Sequence, residues 1–121
     1  MSATLNGRQY ATIETKTANY SVVANVDNGK LFTTTGATGA VTFALPPATV
    51  GQRYSFAVGA VQELRIDPNG TETIALPSTG AQSAEGKYIT ADAVGEYVDI
   101  VCVVAGDWNV TSYIGTWTAE A

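Results

Sequence analysis

Apolar and polar residues alternate in several short runs along the chain. Val41, Phe43 and Leu45 alternate with small or polar residues, and the pattern recurs around Tyr54 and Phe56. Successive side chains of a β-strand point to opposite faces, so each run predicts a strand with one buried face. Further runs of this kind begin at Tyr20, Leu64, Val98 and Trp108. The helical spacing of apolar residues is not found in any window.

Glycine, asparagine and proline mark the connections between these runs. Residues 27–29 (Asp-Asn-Gly) predict a tight hairpin that makes the flanking runs antiparallel neighbours. Residues 105–107 (Ala-Gly-Asp) predict the same connection between the last two strands, and residues 67–70 (Asp-Pro-Asn-Gly) predict a turn. Pro46 and Pro47 end the strand before them, because proline cannot donate to a sheet.

The fold class follows from these strands and from the abundance of Val, Ile and Thr. We predict an all-β protein, an antiparallel β-sandwich or jelly roll of about eight to ten short strands. A repeat of 20 to 50 residues is not expected, since none is clear in the sequence. Residues 1–18 are less apolar and are predicted to form an N-terminal arm or edge strand, followed by the sandwich domain over residues 19–121.

Composition and charge narrow the function classes. The chain has 121 residues, 45% of them apolar, which is enough for the core of one domain. Its formal net charge of −5 argues against nucleic acid or an anionic membrane as the main partner. Residues 31–52 are uncharged, but Pro46, Pro47 and several glycines interrupt this stretch, so it cannot span a membrane.

Candidate chemistry is scarce. The absence of histidine excludes His-based catalytic triads and imidazole zinc sites, and Cys102 is the only cysteine, so a disulfide within the chain is excluded. Hydrolysis by paired carboxylates is the enzyme class that composition leaves open. No two acidic residues occur in a context that raises one pKa and leaves the other ionised, so we predict no catalytic residue, no cofactor and no metal.

Two segments are candidates for contacts with other chains. Thr33, Thr34 and Thr35 are β-prone hydroxyl residues in a region almost without charge, and we expect oligomerisation to cover part of it. Trp117 lies close to the C-terminus, where its ring could cap the core, pack on a neighbouring subunit or line a ligand groove. The first residues lack a basic and an apolar signal region, so we expect synthesis in the cytoplasm.

Several motifs together resemble a known family. They are residues 20–32, residues 36–46 (Gly-Ala-Thr-Gly-Ala-Val-Thr-Phe-Ala-Leu-Pro), residues 50–58, residues 64–70, residues 95–101 and the triplet Trp108-Asn109-Val110. Over about residues 20 to 117 the chain resembles a β-rich module of tailed-bacteriophage virion structural proteins. Such modules occur in head decoration, head fibre and tail fibre proteins, typically as trimers, so the resemblance implies a structural role.

The resemblance, combined with the short free-standing chain, predicts a bacteriophage capsid decoration protein that binds the outer head surface and stabilises the shell. Its expected partners are the major capsid protein and itself, as a homotrimer, with no nucleic acid and no membrane. We predict that the N-terminal arm anchors it through Leu5, Tyr10 and Ile13. The alternative is a receptor- or carbohydrate-binding tip of a phage fibre, with a groove formed by Trp117, Tyr113 and residues 77–86.

Overall fold

The computed structural model describes residues 4–5, 8–9 and 12–121, and within them strands are the regular elements. The strands are β1 (Thr4–Leu5), β2 (Arg8–Gln9), β3 (Ile13–Thr15), β4 (Tyr20–Ser21), β5 (Leu31–Thr33), β6 (Val41–Ala44), β7 (Arg53–Ala57), β8 (Leu64–Asp67), β9 (Thr73–Ile74), β10 (Ile89–Ala91), β11 (Tyr97–Val104), β12 (Asp107–Ile114) and β13 (Thr118–Ala119). The described residues thus hold more strands than the predicted eight to ten.

Two sheets contain most of these strands, which confirms the all-β class. One has five strands in the order β13-β10-β8-β6-β4, and the other has six in the order β3-β5-β7-β11-β12-β9. Both sheets are mixed, because some neighbouring strands run parallel and others antiparallel. The prediction of purely antiparallel pairing is therefore wrong for these sheets. Strands β1 and β2 pair only with each other.

The parallel ladders arise because the chain winds between the sheets. From β3 to β8, successive strands alternate between the six-stranded and the five-stranded sheet, so strands two apart in sequence become parallel neighbours. Tyr20 pairs with Phe43, and Phe43 pairs with Ile66. This is a coil with turns of roughly 20 residues, as in stacked-repeat proteins. The turns share strand positions and not residue identities, which is why no repeat is clear in the sequence.

The coil also overturns the predicted hairpin at residues 27–29. Strands β4 and β5, which this turn connects, lie in different sheets and cannot pair with each other. The turn predicted at residues 67–70 lies two residues later, since the Glu72 amide donates to the Asn69 carbonyl, and it too leads from one sheet to the other. The hairpin predicted at residues 105–107 is confirmed, since Val104 pairs with Asp107 in the antiparallel β11–β12 ladder.

The core lies between the sheets and is rich in aromatic rings. The ring of Phe43, from the five-stranded sheet, lies 5.3 Å from that of Phe32 and 5.1 Å from that of Phe56, both from the six-stranded sheet. All three side chains are fully buried. A second pair, Tyr54 and Trp108, packs at 5.6 Å further along the six-stranded sheet. The contacts of Phe43 with Phe32 and Phe56 hold the two sheets face to face.

Candidate interaction surface

The outer face of the six-stranded sheet brings some of the predicted interface residues together. Strand β3 forms one edge of this sheet and pairs in parallel with β5, so that Ile13 lies beside Leu31 and Thr15 beside Thr33. Phe32 points into the core, so its neighbours in β5 point outward. Ile13 is 62% exposed. We call Ile13, Thr15, Thr33 and the exposed Thr35 the threonine edge.

The side chains of the threonine segment, residues 33–35, lie partly on the surface and partly in the core. The hydroxyls of Thr33 and Thr35 lie 3.1 Å apart and face outward. Thr34 is buried instead, and its hydroxyl accepts a 3.0 Å hydrogen bond from the Gly59 amide. Thr34 is therefore a structural residue and not part of an exposed surface, because strand alternation turns its side chain inward. A Cβ at Gly59 would lie 2.4 Å from the Thr35 hydroxyl, so this close approach requires glycine.

Trp117 is also buried, at 2% exposure. Its indole N–H lies 3.2 Å from the carbonyl of Tyr97 and 3.3 Å from that of Ile114, and donates to both. Of the three positions considered for this ring, the structure shows the one that caps the core, and the ring cannot line a groove. Among the arm residues, Leu5 belongs to β1, whereas Tyr10 lies outside the described residues.

A carboxylate lies at the middle of the outer face. Asp99, in β11, accepts hydrogen bonds from the hydroxyls of Ser55, Tyr97 at 2.6 Å and Ser112 at 3.0 Å. Partial burial raises the pKa of Asp99, but these donors and the charge of Arg53 lower it further than burial raises it, so the net shift is downward. Asp99 is therefore held as a fixed anion at neutral pH.

Charge is sparse around this carboxylate. At the outward positions of β3, β5, β7 and β11, the charged side chains are Arg53 and Asp99. Asp107 lies at a far corner in β12, where it accepts a 2.8 Å hydrogen bond from Thr73. The remaining outward positions carry hydroxyl or apolar side chains. We call Arg53, Ser55, Ala57, Tyr97, Asp99 and Val101 the central face.

A buried ion pair holds the threonine edge in place. Asp27 is fully buried and accepts hydrogen bonds from the Tyr20 hydroxyl at 2.7 Å, the Val23 amide at 2.8 Å and the Lys30 ammonium at 2.9 Å. Lys30 also contacts Glu14 of β3 at 2.7 Å. The sequence analysis predicted Asp27 only as part of the hairpin turn at residues 27–29. The (i, i+3) spacing of Asp27 and Lys30 is the signal that could have indicated the pair.

A cavity of about 360 Å³ opens between the end of β10 and the segment around Trp117. Its lining residues are Glu63, Thr90, Ala91, Asp92, Glu96, Thr116 and Thr118. Glu96 accepts hydrogen bonds from the amides of Asp92, Ala93 and Thr116. Burial raises its pKa, but these amides lower it more, so Glu96 serves chiefly to hold two loops together.

Nowhere in the described ranges do three or more Asp, Glu or Cys side chains come close enough to share a metal ion. No helix in the part of the chain that the structure describes has the length and apolar composition to cross a membrane. Comparison with protein-family models and with curated proteins found no match to this chain.

Proposed function

We propose that this chain is a capsid decoration protein of a tailed bacteriophage, which binds the outer surface of the head and stabilises the shell without a catalytic step. The proposal rests on the motif resemblance over residues 20 to 117 and on one structural observation. That observation is the threonine edge, an uncharged surface on an acidic chain of net charge −5. Its partner would be the major capsid protein.

The geometry of the edge suits attachment to another protein. Among the described residues, strand β3 has a partner on one side only, and the exposed Ile13 lies at the start of that strand. An edge strand can gain a further strand from a partner through main-chain hydrogen bonds. Asp27 and Lys30 hold this edge rigid through Glu14, so little conformational entropy is lost on binding.

Reinforcement of a shell needs many weak contacts and no chemistry. Copies of a homotrimer on a symmetric lattice bind several capsid subunits at once, so the individual affinities combine. We infer that the two packed sheets act as a sandwich that serves as a rigid spacer between these contacts. The outer surface of the virion head is the proposed location, and synthesis in the host cytoplasm precedes assembly.

Co-sedimentation with purified, undecorated capsids tests the role. The wild-type chain should bind saturably, and Ile13→Arg should bind more weakly, because a charge would replace an apolar contact at the edge. Val50→Arg is the matched control, since Val50 is also 62% exposed and lies in the loop before β7, beside Gly51, whose amide donates to the Cys102 carbonyl of β11 and not to the threonine edge. Absence of wild-type binding, or equal loss with both variants, would refute attachment through this edge.

The cavity of about 360 Å³ favours a second candidate function, a carbohydrate-binding tip. Its carboxylates and threonine hydroxyls are groups that hydrogen-bond to sugar hydroxyls. In this version Thr116 and Thr118, which flank Trp117, would contact the sugar instead of the indole ring. A glycan array should then show saturable binding that Thr118→Val weakens, whereas the decoration role predicts no such binding.

A further inference from the structure

The central face combines an open surface with a balanced charge. Its strands, β7 and β11, are antiparallel neighbours in the middle of the six-stranded sheet, with Ser55 opposite Asp99 and Ala57 opposite Tyr97. Arg53 is exposed, and the other members of the face are partly exposed. Two members of this face, Arg53 and Tyr97, are residue types that are enriched in protein interfaces.

The two charges of this face are placed for a partner. Asp99 is anchored by Ser55, Tyr97 and Ser112, so its carboxylate has a set position. Arg53 is paired with Val101 in the ladder, and Val101 lies two residues from Asp99 along β11, on the same face of the sheet. Among the described residues, no carboxylate forms a salt bridge with Arg53. Its guanidinium is therefore available to a carboxylate of another molecule.

The overall charge of the chain indicates which molecule that is. With 11 acidic and six basic residues, two copies repel each other over most orientations. The central face is different, because one positive and one negative group lie side by side on it. Two such faces placed against each other bring opposite charges together and bury uncharged surface between them.

We propose that copies of this chain associate through the central face, with Arg53 of one copy against Asp99 of its neighbour. The occupant of the face is thus a second copy of the chain. A face that pairs with a copy of itself closes as a dimer, so the inference does not rest on the proposed function and does not build the homotrimer expected there. The threonine edge remains at the border of the interface, where a capsid contact is still possible.

Light scattering coupled to size-exclusion chromatography tests the interface over a range of protein concentrations. The wild type should have a mass of about twice 12.6 kDa. Arg53→Glu and Asp99→Lys should each weaken association by about tenfold or more, because each places like charges together. Lys87→Glu and Asp92→Lys are the matched controls, since both residues lie outside the central face, and both should keep the wild-type mass.

Mixing the two face variants gives the sharpest result. A mixture of R53E and D99K should recover association that neither shows alone, because opposite charges meet again between unlike copies. Circular dichroism checks that each variant is folded. If D99K does not fold, Asp99→Asn, which keeps one acceptor oxygen for the Ser55 and Tyr97 hydroxyls, replaces it and should weaken association less strongly than R53E.

The outcomes separate the two proposals. A wild-type chain of 12.6 kDa at every concentration, or variants R53E and D99K that keep the wild-type mass, overturns the central-face interface. A dimer whose association depends on Arg53 and Asp99 supports the interface and contradicts the expected trimer. An oligomer that depends on these residues but does not bind capsids supports the interface and refutes the decoration role.

Discussion

Replacement of Asp27 by asparagine tests the network that holds the threonine edge. The carboxylate is completely buried and accepts hydrogen bonds from Tyr20, Val23 and Lys30 at 2.7 to 2.9 Å. Asparagine has nearly the same shape, but it carries no charge and replaces one acceptor oxygen by a donor NH₂ group. One of the three donors then loses its acceptor, and the Lys30 ammonium loses one of its two counter-charges and keeps only Glu14.

The size of the destabilisation expected for D27N follows from the charge on the acceptor of these hydrogen bonds. A hydrogen bond to a charged group contributes about 1.5–3 kcal/mol to stability, so D27N should destabilise the fold by about that amount. The side chain of Lys30 is 17% exposed, so water can partly replace the lost partner and keeps the loss within this range. For a domain of this size the melting temperature should fall by roughly 5–15 °C.

The pH dependence of the folding stability shows whether the ionised Asp27 carboxylate stabilises the fold. Burial raises the pKa of Asp27, but hydrogen bonds from Val23, Lys30 and Tyr20 lower it by more, so the folded-state pKa lies below the unfolded value of about 3.9. A lowered folded-state pKa stabilises the protein above the unfolded pKa, and this stabilisation is lost as the pH falls through the folded value. The difference between wild type and D27N should therefore shrink below about pH 4.

Urea denaturation followed by tryptophan fluorescence measures both effects. Asp92→Asn is the control, because it makes the same chemical change at an exposed residue and should alter stability by less than about 0.5 kcal/mol. If D27N and the wild type have the same stability at about pH 7, the Asp27 network does not stabilise the fold. If their difference is as large at about pH 3, the ionised carboxylate is not its cause.

Three further predictions concern packing. Gly59→Ala should lower the free energy of unfolding in urea by about 1–3 kcal/mol, because its Cβ would lie 2.4 Å from the Thr35 hydroxyl. Gly39→Ala is the control, since its Cβ would meet no atom within 4 Å. It should leave the stability in urea unchanged or slightly raised. Phe43→Ala should cost about 3–5 kcal/mol in the same assay, since its ring joins both sheets. Burial raises the pKa of the Cys102 thiol, so Ellman's reagent should label it only in denaturant; rapid labelling of the native protein would contradict its burial.

Strand positions could be read from the sequence because they depend on local periodicity. The alternating run around Phe56 corresponds to β7, and its burial alternates as the pattern predicts. The hairpin at residues 105–107 was also predictable, because a short turn between two long strands forces them to pair. Cys102 continues the alternating run that begins at Val98, and it is buried as that pattern predicts.

Pairing between strands could not be read in this way. The turn at residues 27–29 has the chemistry of a hairpin, yet β4 and β5 belong to different sheets. A turn sequence sets the local change of direction, whereas the partner of a strand is chosen by contacts with residues far away in the chain. The same limit applies to Thr34 and Trp117, whose burial depends on what packs over them.

The order of amino acids alone was enough to establish the β-rich class, the strand positions and the absence of imidazole and disulfide chemistry, because periodicity and composition are properties of neighbouring residues. The coil of parallel strands, the buried Asp27 pair and the juxtaposition of Arg53 with Asp99 came from folding. These features join residues that are distant in sequence or buried by distant segments. Their energies depend on long-range packing and desolvation, which local patterns do not encode.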